Sequence, residues 1–332
     1  MKRLKSRFLA RRTERPSTGS GCSVLRLGMT LFGAVLCLAL SAPVCAGHAK
    51  GKVTLAAVGD VLLARGVGEQ IKKHGADWLF DSTRGVLKGA DLSFANLECP
   101  LSNRGLPQKR RFLFRSDPKL ANVLRSNGFD VISLANNHVL DYGRDAMLDT
   151  IGAVRKAGLT AVGAGKDAAD AGRVRVVKVN GLRVGFVAHV DLATIGVIRL
   201  DDKPTVAGAD SGSLARQIRA AKTRCDVLVV SFHWGVEYMK RPTERQKMLS
   251  HLCIHSGADL ILGHHPHVLQ PVETYKGKPI AYSLGAFIWD GKVFGADRSA
   301  IYVFELGKSS ARLAKSIPVR IAGCRPILKS KI

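Results

Sequence analysis

The chain has 332 residues, 46% of them hydrophobic and 23% charged, with 34 glycines and 12 prolines; this excludes a disordered or fibrous protein and suits one large α/β domain or two modest ones. Its formal net charge of +25 favours contact with anionic surfaces, whether lipid, acidic polymer or phosphorylated substrate. No aromatic-interleaved basic patch or recognition-helix pattern accompanies that charge, so no nucleic-acid partner is expected.

In chain order, the first 26 residues carry eight basic side chains against the single acid Glu14, and residues 27–46 are free of charge. A basic run, an apolar run and small residues near Ala46 read as a secretory signal cleaved after Ala46. The alternative is an uncleaved membrane anchor, because the apolar run approaches the shortest spanning length. Both readings place the folded part outside the cytoplasm, facing the periplasm or the exterior. Residues 47–51 read as a short linker, 52–306 as the domain, and 307–332 as an extension with seven basic residues and no acid.

Lys52 to Val58 reads as a first strand, ended by the turn-prone Gly59-Asp60. A helical stretch near 66–88 precedes a second strand, Asp91 to Leu97. Residues 103–116 leave the core and carry Lys109, Arg110, Arg111 and Arg115. A helix follows Pro118 and ends at Gly128, Phe129 to Ala135 is a third strand, and 145–157 suits a helix. Asn180-Gly181 between two apolar runs signals a hairpin, and residues 191–212 look like an irregular insertion. A helix near 213–222, strand Asp226 to Phe232, a helix over 243–256 and strands at 259–263, 279–283 and 299–306 complete an α/β pattern with mixed sheets. Cys99, Cys225, Cys253 and Cys324 are too widely spaced for structural zinc, leaving one disulfide or four isolated thiols open.

Ligand-type residues recur where an apolar strand ends: Asp60, Glu98, Asn137 with His138, His233, and the cluster His264, His265 and His267. Strand ends bring distant residues into one crevice, where open α/β sheets bind ligands. Carboxylate, imidazole and amide oxygen suit one or two divalent ions such as manganese, iron or zinc, and no cysteine is among these strand-end residues to make a soft site. Two ions sharing a carboxylate would activate water and stabilise an in-line phosphoryl displacement. Protonated His138, if it stays off the metals, would supply a proton to the leaving group. Arg65 is a candidate to orient a phosphate or carboxylate, with a structural salt bridge as the alternative. His251 and His255, four apart on a helix, have ligand spacing, but the helix lies away from the strand tips; His189 ends a strand and is a candidate substrate contact.

The ordered phrases GDVLLAR, ANLECPLS, SLANNHVLDYG, SFHWGVEY, GADLILGHHPHVLQPVE and AYSLGAFIWD resemble the bacterial capsule synthesis protein CapA family, named for poly-gamma-glutamate production. That family is similar to calcineurin-like metallophosphoesterases. The resemblance implies a four-layer α/β/β/α sandwich with two mixed sheets. It implies metal ligation by Asp60, Glu98, Asn137, His233, His265 and His267, with Glu98 bridging and His264 replacing His265 if the turn is read differently. It gives His138 a leaving-group role. The chain departs from the phosphoesterase pattern at Asp60-Val61-Leu62, which lacks an Asp-x-His imidazole, and at Glu98, where a bridging aspartate is usual. The implied role is a cell-envelope one in making, releasing or exporting an anionic polymer, with membrane-bound synthesis or export proteins as partners. Two alternatives stand beside a phosphoesterase: a metal-dependent amide hydrolase, and a non-catalytic polymer-binding or assembly factor.

Overall fold

The computed structural model describes residues 51–191, 201–291, 293 and 295–329; the signal or anchor expected over 1–46 and part of the expected insertion lie outside them. Apolar runs become strands. Val53–Val61 (β1), Leu92–Leu97 (β2), Val131–Ser133 (β3) and Thr160–Val162 (β4) pair in parallel. After Ala164–Gly165 (β5), Arg175–Val179 (β6) and Leu182–Val190 (β7) form an antiparallel hairpin. Asn180 and Gly181 both take positive φ (49° and 80°) at its turn, the geometry that matches the twist of paired strands. The remaining strands are Thr205–Val206 (β8), Val227–His233 (β9), Leu260–His264 (β10), Val272–Tyr275 (β11), Lys278–Ala281 (β12), Ala286–Ile288 (β13), Arg298–Gly307 (β14), Ser310–Ala322 (β15) and Arg325–Leu328 (β16).

Two mixed sheets result. One runs β16-β15-β14-β1-β2-β3-β4, with β13 also beside β1, and the other runs β11-β12-β10-β9-β7-β6. Successive side chains of a strand face opposite ways, and β9 shows the consequence. Val227 and Val229 join the larger core that contains Phe94, Ile132 and Ala286, whereas Leu228, Val230 and Phe232 join a second core with Leu214, Ile218, Leu249 and Cys253 of helices Ser211–Lys222 and Glu244–His255. Helices Arg65–His74, Leu120–Ser126 and Gly143–Lys156 bury Val67, Leu124, Met147, Ile151 and Val154 in the larger core. The architecture is therefore α/β, with two mixed sheets flanked by helices. Phe94 and Phe186 stack at 6.0 Å, a contact worth about 0.5–1.5 kcal/mol beyond the area it buries.

Three local features depart from the sequence reading. The helical stretch expected near 66–88 is divided: the first helix stops at Gly75 (φ 82°), a 3-10 turn covers Ala76–Phe80, and a short helix covers Arg84–Lys88. Strand β1 does not end at Gly59 but continues to Val61 through a register shift. A Cβ on Gly59 would stand 1.8 Å from the Gly285 carbonyl oxygen; its absence allows the close approach in which the Asp60 N–H donates to that oxygen at 3.0 Å. Finally, residues set apart as a basic extension pair as β15 and β16. Their basic side chains alternate with Ala311, Leu313, Ile317 and Val319, of which Ala311 and Val319 are buried, and Gly323 and Cys324, both at positive φ, make the turn between them. Cys99, Cys225, Cys253 and Cys324 are all free thiols.

Candidate metal centre

The parallel strands of both sheets deliver their ends to one place. Asp60 lies near the end of β1, Glu98 directly after β2, Asn137 and His138 after β3, His233 at the end of β9, and His264 at the end of β10. Three groupings have ligand atoms within 4.8 Å of one another: Glu98 with His233 and His265, Asp60 with Glu98 and His267, and the exposed Glu237 with His265 and His267. The two fully buried groupings share Glu98. Glu98 Oε1 lies 3.7 Å from His267 Nε2 and 3.9 Å from His233 Nε2, and this buried oxygen has no hydrogen-bond partner. Such separations are too long for hydrogen bonds. They are close to the spacing of two donors that each sit about 2.0–2.2 Å from one ion.

His265 Nδ1 is also buried without a partner, while Asn137 Oδ1 faces His233 Nε2 at 2.9 Å. Orphaned buried polar atoms cost about 1–3 kcal/mol each, so a protein that keeps Glu98 Oε1 and His265 Nδ1 in this condition fits a bound group supplying what they lack. The donors are oxygen and nitrogen alone, which suits divalent manganese, iron or zinc. One set is Glu98, Asn137, His233 and His265, and the other is Asp60, Glu98 and His267.

Charges in this pocket are shifted by one another. Burial alone would raise the Asp60 carboxyl, but the neighbouring imidazoles of His264 and His267 overcome it and hold Asp60 well below its usual range. Glu98 goes the other way: burial, then the charges of Asp60 and Glu237, push it well above. Burial and neighbouring imidazoles hold His233 well below its ordinary value, and bring His265 down to about 3. These two imidazoles are therefore neutral at physiological pH, the protonation state a ligand requires. The shifts of Asp60 and Glu98 are opposed because the two carboxyls share one buried pocket and the imidazoles of His264 and His267 favour the charge on Asp60.

The backbone around the centre is constrained. His265 (φ 95°), His267 (φ 56°), Arg65 (φ 56°) and Tyr238 (φ 62°) all occupy positive φ, at about 1–3 kcal/mol each. The turn His264–His267 is held because the His265 N–H donates to Asp60 Oδ2 at 3.2 Å and His267 Nδ1 lies 3.0 Å from the same oxygen. The His267 ring stacks on Trp289 at 4.1 Å. Behind His233, Trp234 stacks on Phe232 at 4.3 Å and donates Nε1–H to the Tyr282 carbonyl at 3.0 Å, fixing the end of β9.

His138 stands beside the centre in none of the groupings among the described residues. Its Nδ1 lies 2.8 Å from Asp141 Oδ2, and its ring stacks on Phe114 at 4.0 Å. Asp141 also accepts the Phe114 N–H at 2.8 Å, so one carboxylate fixes both the ring and the aromatic beneath it. Arg110 donates to the Asn137 carbonyl at 2.5 Å and approaches Asp141 at 3.7 Å. Arg65 is ion-paired with Asp290 at 3.3 Å, with its guanidinium over Phe112 and Phe114. The His264 ring is brought to Asp60 Oδ1 at 3.4 Å and tilts against Phe94 at 5.8 Å, but it belongs to none of the groupings. His265 and His267 are the pair from that cluster that enter them.

Asn96 has a central place that motif reading alone passed over. Its Nδ2 donates to Asp60 Oδ1 at 2.8 Å and lies 3.5 Å from Glu98 Oε2 and 3.4 Å from His233 Nδ1, and its Oδ1 accepts from Asn136 at 3.0 Å. The available signal was its place two residues before Glu98 on a strand, where alternation returns it to the same face. His251 and His255 do not converge: His251 pairs with Glu273 at 3.1 Å, and His255 Nε2 meets the Tyr275 hydroxyl at 2.9 Å. His189 is buried against Phe232.

The family described as bacterial capsule synthesis protein PGA_cap matches residues 54–291. The capsule biosynthesis protein CapA of Bacillus anthracis is 34% identical over 278 residues, covering 81% of this chain and 68% of that protein. The PGA biosynthesis protein CapA of Bacillus subtilis (strain 168) is 34% identical over 272 residues, covering 81% and 72%. Among solved structures, the calcineurin-like phosphoesterase YfkN of Bacillus subtilis aligns with a TM-score of 0.44 at 15% identity, covering 80% of this chain and 89% of that one.

Proposed function

The chain belongs to the bacterial capsule synthesis protein family PGA_cap, which gives it a capsule-related envelope role at the level of the family, and from that premise we propose that it acts in the synthesis, release or export of an anionic capsule-type polymer through a metal-dependent, phosphoesterase-type hydrolytic site. The observation that carries this reading is the pair of buried ligand groupings joined at Glu98, whose Oε1 has no partner of its own.

Divalent ions held by Asp60, Glu98, Asn137, His233, His265 and His267 would supply Lewis-acid charge and a water nucleophile usable at neutral pH. The chain's own residues do the rest. Asn96 donates to Asp60 and orients it, and Glu98, set between both groupings, ties the two halves of the site. Asp141 fixes His138 through Nδ1, which leaves Nε2 to hold a proton for a leaving-group oxygen. Arg65, steered by Asp290, and Arg110, anchored to the Asn137 carbonyl, place positive charge where anionic groups of a substrate would lie. Neutral polymer ends would gain nothing from this arrangement; phosphate or carboxylate groups would.

Turnover tests this directly. The manganese-loaded chain is expected to hydrolyse p-nitrophenyl phosphate or bis(p-nitrophenyl) phosphate, and a chelator is expected to abolish that activity. Bound metal with no turnover of phosphate esters, but with cleavage of poly-gamma-glutamate, would replace phosphoryl transfer by amide hydrolysis. Bound metal with neither reaction would leave a polymer-binding or assembly role.

A further inference from the structure

Seven large apolar side chains stand exposed among the described residues, and five of them, Leu106, Phe112, Val236, Met239 and Val293, lie on three loops around the metal centre. The other two, Val176 and Met248, are on β6 and on helix Glu244–His255. Each loop is tied to the site. The 103–116 segment reaches it through Arg110 and the Asn137 carbonyl and through Phe112 beneath Arg65. The 236–241 loop follows His233, and its Tyr238 N–H donates to the Pro266 carbonyl, between His265 and His267, at 2.8 Å. Val293 lies shortly after Trp289, which stacks on His267, and Asp290, which pairs with Arg65.

These loops are built rather than loosely draped. The Gln108 N–H donates to the Asp141 carbonyl at 2.8 Å, and a Cβ on Gly105 would lie 2.0 Å from the Tyr142 carbonyl oxygen. Leu106 nonetheless stands 79% exposed and Phe112 52%. Seven basic side chains, Arg104, Lys109, Arg110, Arg111, Arg115, Lys240 and Arg241, lie in the first two of these segments against the one acid Glu237, and of the seven Arg104 is ion-paired with Asp149.

We infer that this rim is a docking surface for an anionic lipid bilayer, with the apolar tips entering the boundary between headgroups and acyl chains and the basic side chains meeting the headgroups. A soluble polyanion would satisfy the basic residues but offers nothing to five exposed apolar side chains, whereas an anionic membrane surface complements both. The consequence is that the centre meets its substrate at headgroup level. The docking itself does not depend on the hydrolytic reading and can be tested apart from it.

Gly47–Ile332 is a compact unit by its own contacts and contains both cores, so residues 47–332 are the piece to sediment with phosphatidylcholine vesicles made with and without phosphatidylglycerol. Binding is expected to the phosphatidylglycerol vesicles. Leu106→Asp combined with Phe112→Asp is expected to lower the bound fraction roughly tenfold, while Val176→Asp with Met248→Asp, the same chemical change away from the rim, leaves it unchanged. The chelator-treated and the manganese-loaded chain are expected to bind vesicles alike, which separates docking from metal chemistry. No binding to phosphatidylglycerol vesicles, or equal loss in both double variants, would overturn the inference. So would binding of soluble labelled poly-gamma-glutamate that the rim variant abolishes while vesicles go unbound, since the rim would then be a polymer groove.

Discussion

Replacing Glu98 with glutamine is expected to change stability in opposite directions according to whether metal is present. In the metal-free chain, burial, then Asp60 and Glu237, raise the Glu98 pKa well above 4.5. Between the unfolded and folded pKa values the folded state keeps a proton that the unfolded chain has lost. Stability therefore falls as pH rises through that window, by about 1.4 kcal/mol per pH unit. Glu98→Gln has no proton to lose. Near pH 4.5 the two chains should melt almost alike, and toward pH 8 in a chelator the variant should be more stable by about 1–3 kcal/mol, the usual cost of an uncompensated buried polar group. With manganese the order reverses. Metal that binds only the folded chain adds about 2.7 kcal/mol at a hundredfold excess over its dissociation constant, and an amide is a poor bridge between two cations. Thermal melts at both pH values, with chelator and with manganese, check this; a variant less stable under every condition would mean that Glu98 is structural.

The second large effect concerns His138. Its ring is outside the ligand groupings yet fixed by Asp141 and Phe114, so His138→Asn should leave metal content unchanged. Turnover of phosphate esters with alkyl leaving groups should drop by about 10²–10⁴, the usual contribution of a placed acid. A nitrophenyl ester, whose leaving group departs without a proton, should lose far less. Equal losses on both esters would remove the proton-donor role and leave His138 a positioning or binding group.

Part of this was legible in the sequence for a definite reason. Asp60, Glu98, Asn137 and His233 each follow an apolar run, and a strand that ends in a ligand type announces a strand-tip site without any knowledge of the sheet. The paired-sheet architecture was harder. It came from the resemblance, because apolar runs as short as Val131–Ser133 reveal neither their order nor their partners. Alternation alone places Asn96 on the face of Glu98, but its pairing with Asp60 depends on how β1 and β2 register around the shift near Asp60, and no local pattern encodes that register. The resemblance pointed to His265 and His267, with His264 as the alternative to His265; in the fold His265 and His267 stand in the groupings at positive φ, while the His264 ring lies between Asp60 and Phe94. The strands β15 and β16 were hidden by their charge, since basic residues interspersed among a few apolar ones read as a solvated tail until the pairing with β14 is known.

Elemental analysis of purified residues 47–332 and of the same piece carrying His267→Ala, each reconstituted with manganese, iron or zinc and then desalted, tests the central claim most directly. Roughly one to two ions per chain in the parent, reduced in the variant, is the result these ligand groupings require. A correctly folded parent that retains no metal after reconstitution would contradict the assignment of a metal centre.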